Sequence, residues 1–214
     1  MTAAKCFTTA GYSATSTRVI ATSAGVRQAT LYYYFPSKDD ILAALLDEVM
    51  RPPVTMTETV LQMQEAPPVR LWALVHAHLR YHLTNPANLG ALCFLPELRG
   101  EQFSTFQSQC MAMVSGYHTL VAAVAADTEA GADELATRSS LICALIKGAI
   151  LTRQDTPDLD TERFSRRGAN TALRIAGCSE ATVSAVGDRA AKLSGRLGDL
   201  ALQPPHTDTA SNAS

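Results

Sequence analysis

The chain has 214 residues, 47% of them hydrophobic and 18% charged, with a formal net charge of −2. It is too apolar to be wholly disordered, too poor in Gly and Pro to be collagen-like, and long enough for one large domain or two small ones. The average hides an asymmetry: residues 1–38 hold Lys5, Arg18, Arg27 and Lys38 and no acid, leaving 14 basic and 20 acidic residues, a net of −6, on the other 176.

In chain order, residues 2–10 read as a short helix that Gly11 can end. Thr15 or Ser16 can cap a second helix running to Ser23, with Val19 and Ile20 facing inward. Ala24-Gly25-Val26 makes a tight turn in which Gly25 can take positive φ. A third helix runs from Arg27 to about Tyr34. Ser37 caps a fourth that opens at Lys38, with Asp39 and Asp40 at its positive end. Ile41, Leu42, Leu45, Leu46 and Val49 recur there at helical spacing. Helix, short turn, helix is the shape of a helix-turn-helix. The third helix is rich in hydrogen-bonding groups and free of acid: Gln28 can pair with adenine, Thr30 can offer hydroxyl and methyl, and its tyrosines can reach phosphate. Leu31 and Phe35 are its core residues. A basic head on an acidic body confines contact with a polyanion to the head.

The run Gly11-Tyr12-x2-Thr15-x3-Val19-Ile20-Ala21-x3-Gly25-Val26-x3-Thr30-Leu31-Tyr32-x2-Phe35-x-Ser37-Lys38 resembles the N-terminal domain of the TetR family of bacterial transcriptional regulators, over about residues 3–49. The resemblance implies an all-α, TetR-like fold: a three-helix DNA-binding head over residues 1–38 and a helical ligand-binding and dimerisation domain over 39–202. It implies a homodimer that binds a palindromic double-stranded operator as a repressor and is released by a small-molecule effector. By residue-for-residue match, Arg27, Gln28, Ala29, Thr30, Tyr33 and Tyr34 face bases or backbone. Tyr32 and Lys38 match phosphate-contacting residues, and Thr15, Ser16 and Thr17 match the phosphate-facing start of the second helix. The chain begins inside the first helix of the family pattern: either further N-terminal residues, often basic, belong to the natural protein, or the head is slightly destabilised. The alternative is a helical small-molecule-binding or protein-interaction module without operator binding.

In the body, Arg51-Pro52-Pro53 reads as the end of helix four, with Thr57 to Met63 either its resumption or a separate turn. Helices follow at 69–84, 101–126, 135–152, 159–176 and 180–201, with a short segment at 87–99 and a disordered tail at 203–214. The family resemblance implies a dimer seam on 135–152 and 159–176, for which Leu141, Ile142, Leu145, Ile146, Ala149 and Ile150 are candidates. It places the effector among 69–126, where Trp72, His76, Leu79, Phe94, Phe103, Phe106, Met113 and Tyr117 are candidate lining residues for a largely apolar molecule. His76, His78 and His82 read as scattered surface or pocket residues rather than a metal set, since no Cys, Asp or Glu completes them. No cofactor is expected, and no phosphate loop, GxSxG or HExxH points to an enzyme. Five widely spaced cysteines without a CxxC pair exclude a disulfide scaffold and read as thiols in a reducing cytoplasm. No apolar leader and no run of 18 apolar residues is present, so no membrane span is expected.

Overall fold

A computed structural model describes residues 2–85, 89–156 and 158–201; the expected tail at 203–214 lies outside these. Among the described residues the regular structure is helical: α1 (Thr2–Ala10), α2 (Thr17–Ser23), α3 (Gln28–Tyr34), α4 (Lys38–Gln62), α5 (Pro67–Thr84), α6 (Ser104–Val124), α7 (Ala132–Asp155), α8 (Thr161–Ile175) and α9 (Glu180–Ala201). Three short 3-10 turns, Leu89–Phe94, Pro96–Arg99 and Glu101–Phe103, join α5 to α6.

Local chemistry sets the head. Gly11 closes α1 at φ +85° and Gly25 turns α2 towards α3 at φ +69°, a region that costs side-chain-bearing residues strain. Ser16 caps α2 by accepting from the Val19 N–H at 3.3 Å. Ser37 and Asp40 form a reciprocal capping box at the start of α4. Ile20 is buried, but Val19 is 48% exposed, so the expected inward pair is a single residue.

Two apolar clusters form. The body cluster surrounds α5 with residues of α4, α6, α7, α8 and α9. The head cluster joins Phe7, Tyr12 and Ile20 to Ile41 through Met50 of α4, and also to Leu89, Leu92, Leu98, Phe103 and Phe106. The head core is therefore completed by body residues, and the cores do not divide at residue 38.

Helix α4 corrects one expectation: it does not end at Arg51-Pro52-Pro53 but runs on to Gln62, with both prolines buried. Pro53 lacks the N–H that would bond the Val49 carbonyl. That carbonyl instead accepts from the Tyr81 hydroxyl at 3.1 Å. The Pro53 carbonyl accepts from Thr57 Oγ1 at 2.8 Å and from His78 Nε2 at 3.0 Å. His78 Nδ1 then accepts a hydrogen bond from the Tyr117 hydroxyl at 2.8 Å. The prolines are tolerated because α5 supplies donors to carbonyls of α4.

Two predictions follow from this junction. Tyr81→Phe should cost about 1 kcal/mol in urea unfolding, and the cost should shrink in a Pro53→Ala background, where the backbone donor returns. Burial pushes His78 down to about 3, with the His82 charge adding to it, and pushes His82 to about 4, from an ordinary 6.5. Because the unfolded chain takes up these protons first, their contribution is complete above pH 6.5 and is lost as pH falls towards the folded values. The unfolding free energy from urea titration should therefore fall from pH 7 to pH 5, the slope rising towards about 1.4 kcal/mol per pH unit for each histidine once the pH is below 6.5.

Candidate nucleic-acid interface and body cavity

Helix α3 buries no residue fully. It is held to the head by the half-buried Leu31 and Phe35, while Tyr33 is 83% and Tyr34 70% exposed. Arg27, Gln28, Ala29 and Thr30 are also exposed. Thr17 at the start of α2 lies 3.0 Å from the Tyr32 hydroxyl and accepts from Gln28 Nε2 at 3.4 Å. Thr17, Gln28 and Tyr32 thus form one polar cluster where the two helices meet. Ser16 is exposed beside it, as is Arg18, a cation the motif matching passed over because it falls in a variable position of the run.

Thr15 is not part of this face. It is buried, and its hydroxyl donates to the Gly11 carbonyl at 2.7 Å and reaches the Cys6 carbonyl at 3.2 Å, so it secures the end of α1. Lys38 is half-buried: its ammonium donates to the Tyr12 carbonyl at 2.8 Å and sits 4.1 Å above the Tyr12 ring. The Tyr12 hydroxyl donates to Asp39, and burial together with that carboxylate holds the phenol protonated well above the tyrosine range. Gln102 donates to the other Asp39 oxygen at 3.3 Å, and Ser13 donates to Glu97 at 2.8 Å. These bonds tie the head to the 3-10 turns.

The expected cavity lining is not brought together. Trp72, Leu79 and Tyr117 are buried in the body core, and Phe103 and Phe106 in the head core. Phe94 is exposed, and Met113 borders a small groove of about 260 Å³ between α4 and α6. Apolar residues at helical spacing closed the interior instead of lining a space. Only His76 opens on the larger cavity, of about 790 Å³, between α5, α8 and α9. Its wall carries Arg80, Tyr81, Glu162, Arg166, Lys192, Ser194 and Asp199 beside Met56, Ala77 and Ala191, so charged groups border a surface that is mostly apolar.

His76 is 2% exposed and stacks on Trp72, with ring centroids 4.7 Å apart. Its Nδ1 pairs with the Ser194 hydroxyl at 2.8 Å. Its Nε2 has no hydrogen bond and lies 3.4 Å from Glu162. Burial pushes its pKa down to about 4, the Glu162 charge offsetting only part of this. Glu162 accepts from Arg80 Nη1 at 3.0 Å on one oxygen and from Arg166 Nε at 3.0 Å on the other. Burial opposes its ionisation, but Arg166, His76 and Arg80 together hold its carboxyl below the usual range. Gly195 and Gly198 of α9 also line the cavity, and a Cβ added at either would meet nothing. Glycine inside a helix costs about 1 kcal/mol relative to alanine, and no packed neighbour requires it here.

His76, His78 and His82 are all buried, so none is a surface residue, and of the three only His76 lines the cavity. His78 serves the α4 junction, His76 the cavity wall, and His82 packs edge-on to Tyr81.

Four of the six expected seam residues, Ile142, Ile146, Ala149 and Ile150, point into the subunit's own core. Leu145 is half-buried and Leu141 is 52% exposed. The face α7 leaves open is Thr137, Leu141, Ala144, Gly148 and Leu151, alternating four and three residues apart. By length and composition, Ala132–Arg153 is apolar enough to cross a membrane, with mean hydropathy 1.4 and 28% buried. Asp133, Glu134, Arg138, Lys147 and Arg153 interrupt it, so it is not a continuous apolar run. A helix with one apolar face in its own core and another open has the same composition.

No curated protein matches the chain. The profile of a family described as bacterial regulatory proteins, tetR family, matches residues 2–45. Among solved structures the chain is similar to AmtR from Mycobacterium smegmatis, at 34% identity over 95% of this chain and 93% of that one, with a TM-score of 0.79. It is similar in fold to a tetR-family regulatory protein from Rhodococcus RHA1, at 22% identity over 84% of this chain and 95% of that one, TM-score 0.74. PfmR from Thermus thermophilus, a TetR family transcriptional regulator, shares the fold at 23% identity over 81% of this chain and 95% of that one, TM-score 0.67.

The open face of α7 yields a prediction. A charge at its centre, Ala144→Glu, should convert a dimer to a monomer in sedimentation equilibrium while far-UV circular dichroism is unchanged. Ile142→Glu, in the core, should instead unfold the subunit.

Proposed function

We propose that this chain, which belongs to the tetR family of ligand-responsive DNA-binding transcription regulators, is a homodimeric repressor that releases a palindromic operator when a small molecule binds its body. The observation that carries the operator reading is α3: a helix with no fully buried side chain, on a head without acid until Asp39. A surface of donors without carboxylates suits a groove edged by phosphates.

In this reading α3 lies in the major groove, and the dimer sets two copies about one helical turn of DNA apart or somewhat more. Gln28 and Thr30 read base edges, with Arg27, Ala29, Tyr33 and Tyr34 beside them. Ser16, Thr17 and Tyr32 meet phosphate. Lys38 contributes with the donors its bond to Tyr12 leaves over, and Arg18 joins the phosphate-facing set. Dimerisation uses the open face of α7. The effector is a largely apolar small molecule, for which the charged groups bordering the large cavity supply polar anchors. Helix α4 carries the response from body to head.

The test is selection of bound sequences from random duplex DNA, then affinity against salt. A palindrome should emerge whose affinity falls steeply as salt rises. Gln28→Ala should cost about 1–3 kcal/mol and relax preference at one base of each half-site. Arg18→Ala should weaken all sequences alike and lower the salt slope by about 1 per half-site. Failure to enrich a palindrome would favour a body that binds its ligand without an operator.

A further inference from the structure

We infer that the 3-10 turns Pro96–Arg99 and Glu101–Phe103 are a latch that fixes the angle of the head on the body, and that the paired residues Ser13–Glu97 and Asp39–Gln102 thereby set the half-site spacing the dimer accepts. The inference rests on the operator reading above.

Apolar contact joins the head to this segment without orienting it. Phe7 and Tyr12 share a cluster with Leu98, Phe103 and Phe106, and hydrophobic attraction is non-directional. Hydrogen bonds supply direction. The Ser13 hydroxyl, just after α1, donates to Glu97 at 2.8 Å. Gln102 Nε2 donates at 3.3 Å to Asp39, in the first turn of α4. The other Asp39 oxygen accepts from Tyr12, the residue before Ser13. Two anchor points beside the path along α4 give the head one orientation.

The body end of the latch is held in turn. Gln107 Nε2 of α6 donates to the Leu98 carbonyl at 2.9 Å and to the Gly100 carbonyl at 3.1 Å, so both turns hang from one side chain. Glu97 gives one oxygen to Ser13 while its other is buried with no hydrogen bond. A carboxylate placed by solvation alone would not bury an oxygen unpaired; the bond to the head holds it there.

Gly100 is the independent sign. Its φ of −69° is open to any residue, so the backbone does not require glycine. The nearest atoms an added Cβ would meet all belong to the side-chain amide of Gln102, the group that holds Asp39. Glycine keeps the space that the latch occupies.

Angle becomes spacing through the two-fold symmetry of the dimer. Tilting both heads changes the separation and the rotation of the two α3 helices. One base pair added between half-sites moves them apart by about 3.4 Å and turns one by about 35°. A head fixed at one angle accepts one spacing, and a head free to tilt accepts several.

The experiment uses the full-length protein and the palindrome it selects. Affinity is read by fluorescence anisotropy on duplexes with the selected spacer, with spacers one base pair longer and shorter, and with a single half-site. The wild type should bind the selected spacer about tenfold or more tighter than either neighbour. Ser13→Ala/Gln102→Ala should bring the three within about threefold, with single-half-site affinity and unfolding temperature unchanged, because α3 and the apolar clusters are untouched. Gly100→Ala should broaden the preference in the same direction with all four latch residues present. Ser13→Thr, which keeps the hydroxyl, should keep the wild-type optimum. A narrow preference that survives Ser13→Ala/Gln102→Ala overturns the latch. So does an equal loss on palindrome and single half-site, which marks these residues as DNA contacts. A wild type that selects no palindrome overturns the operator reading and the inference with it, a result distinct from a palindrome whose spacing the variants leave unchanged.

Discussion

Helix α5 has almost no solvent face, and the rest of the molecule is arranged around that constraint. From Leu71 to Leu79 every residue is buried, and five other helices pack around it. A helix in that position must place every polar side chain against a partner. Trp72 donates to Asn170 of α8 at 2.7 Å, His76 pairs with Ser194 of α9, and His78 reaches α4 and α6 together. Each bond crosses to a different element. The polar atoms of α5 therefore fix the register of its neighbours, which apolar contact alone specifies weakly.

The head was largely legible in the sequence because its signals are local. A glycine at positive φ, a serine at an N-cap and an acid three residues later act over a single turn. The helix boundaries there agree with the structure to within a residue. The misreading of Pro52-Pro53 has the opposite origin. Proline ends helices because it strands a carbonyl, and the donor that rescues Val49 is Tyr81, which lies 32 residues away in the chain. No local pattern contains that fact. Thr15 shows the same limit on a smaller scale. It fits a position that meets phosphate, but the curl of the chain after α1 brings it under two carbonyls instead.

Apolar periodicity carried the body only as far as its helices. It marks a stripe but not what lies against the stripe. On α7 the obvious run Leu141–Ile150 mixes two faces, one for the subunit's own core and one left open. On α5 and α6 the aromatic residues became core, and the cavity formed where small and charged residues meet. Of the three glycines inside α9, which local propensity disfavours, Gly195 and Gly198 border it and Gly187 does not, so glycine content alone did not mark its place.

The same tyrosine that rescues α4 lines the cavity. Burial pushes the Tyr81 phenol up to about 12, so it remains a donor to Val49 at any ordinary pH. Met56 of α4 lines the cavity as well. An occupant therefore touches α4 directly and also touches the group that keeps α4 continuous across its prolines. From Val49, α4 runs back to Lys38 and Asp39, which hold Tyr12 of the head. A second connection leaves the end of α5, where Gly90 packs so closely on His82 and Ile150 that an added Cβ would lie 3.0 to 3.1 Å from them. From there the 3-10 turns reach Asp39 through Gln102 and Ser13 through Glu97. Both routes meet at Asp39, the first acid in the chain, beside the recognition face. A ligand moves an equilibrium only by binding two arrangements unequally. Tyr81 stands where the cavity wall and the continuity of α4 meet, so binding and the shape of α4 share one side chain.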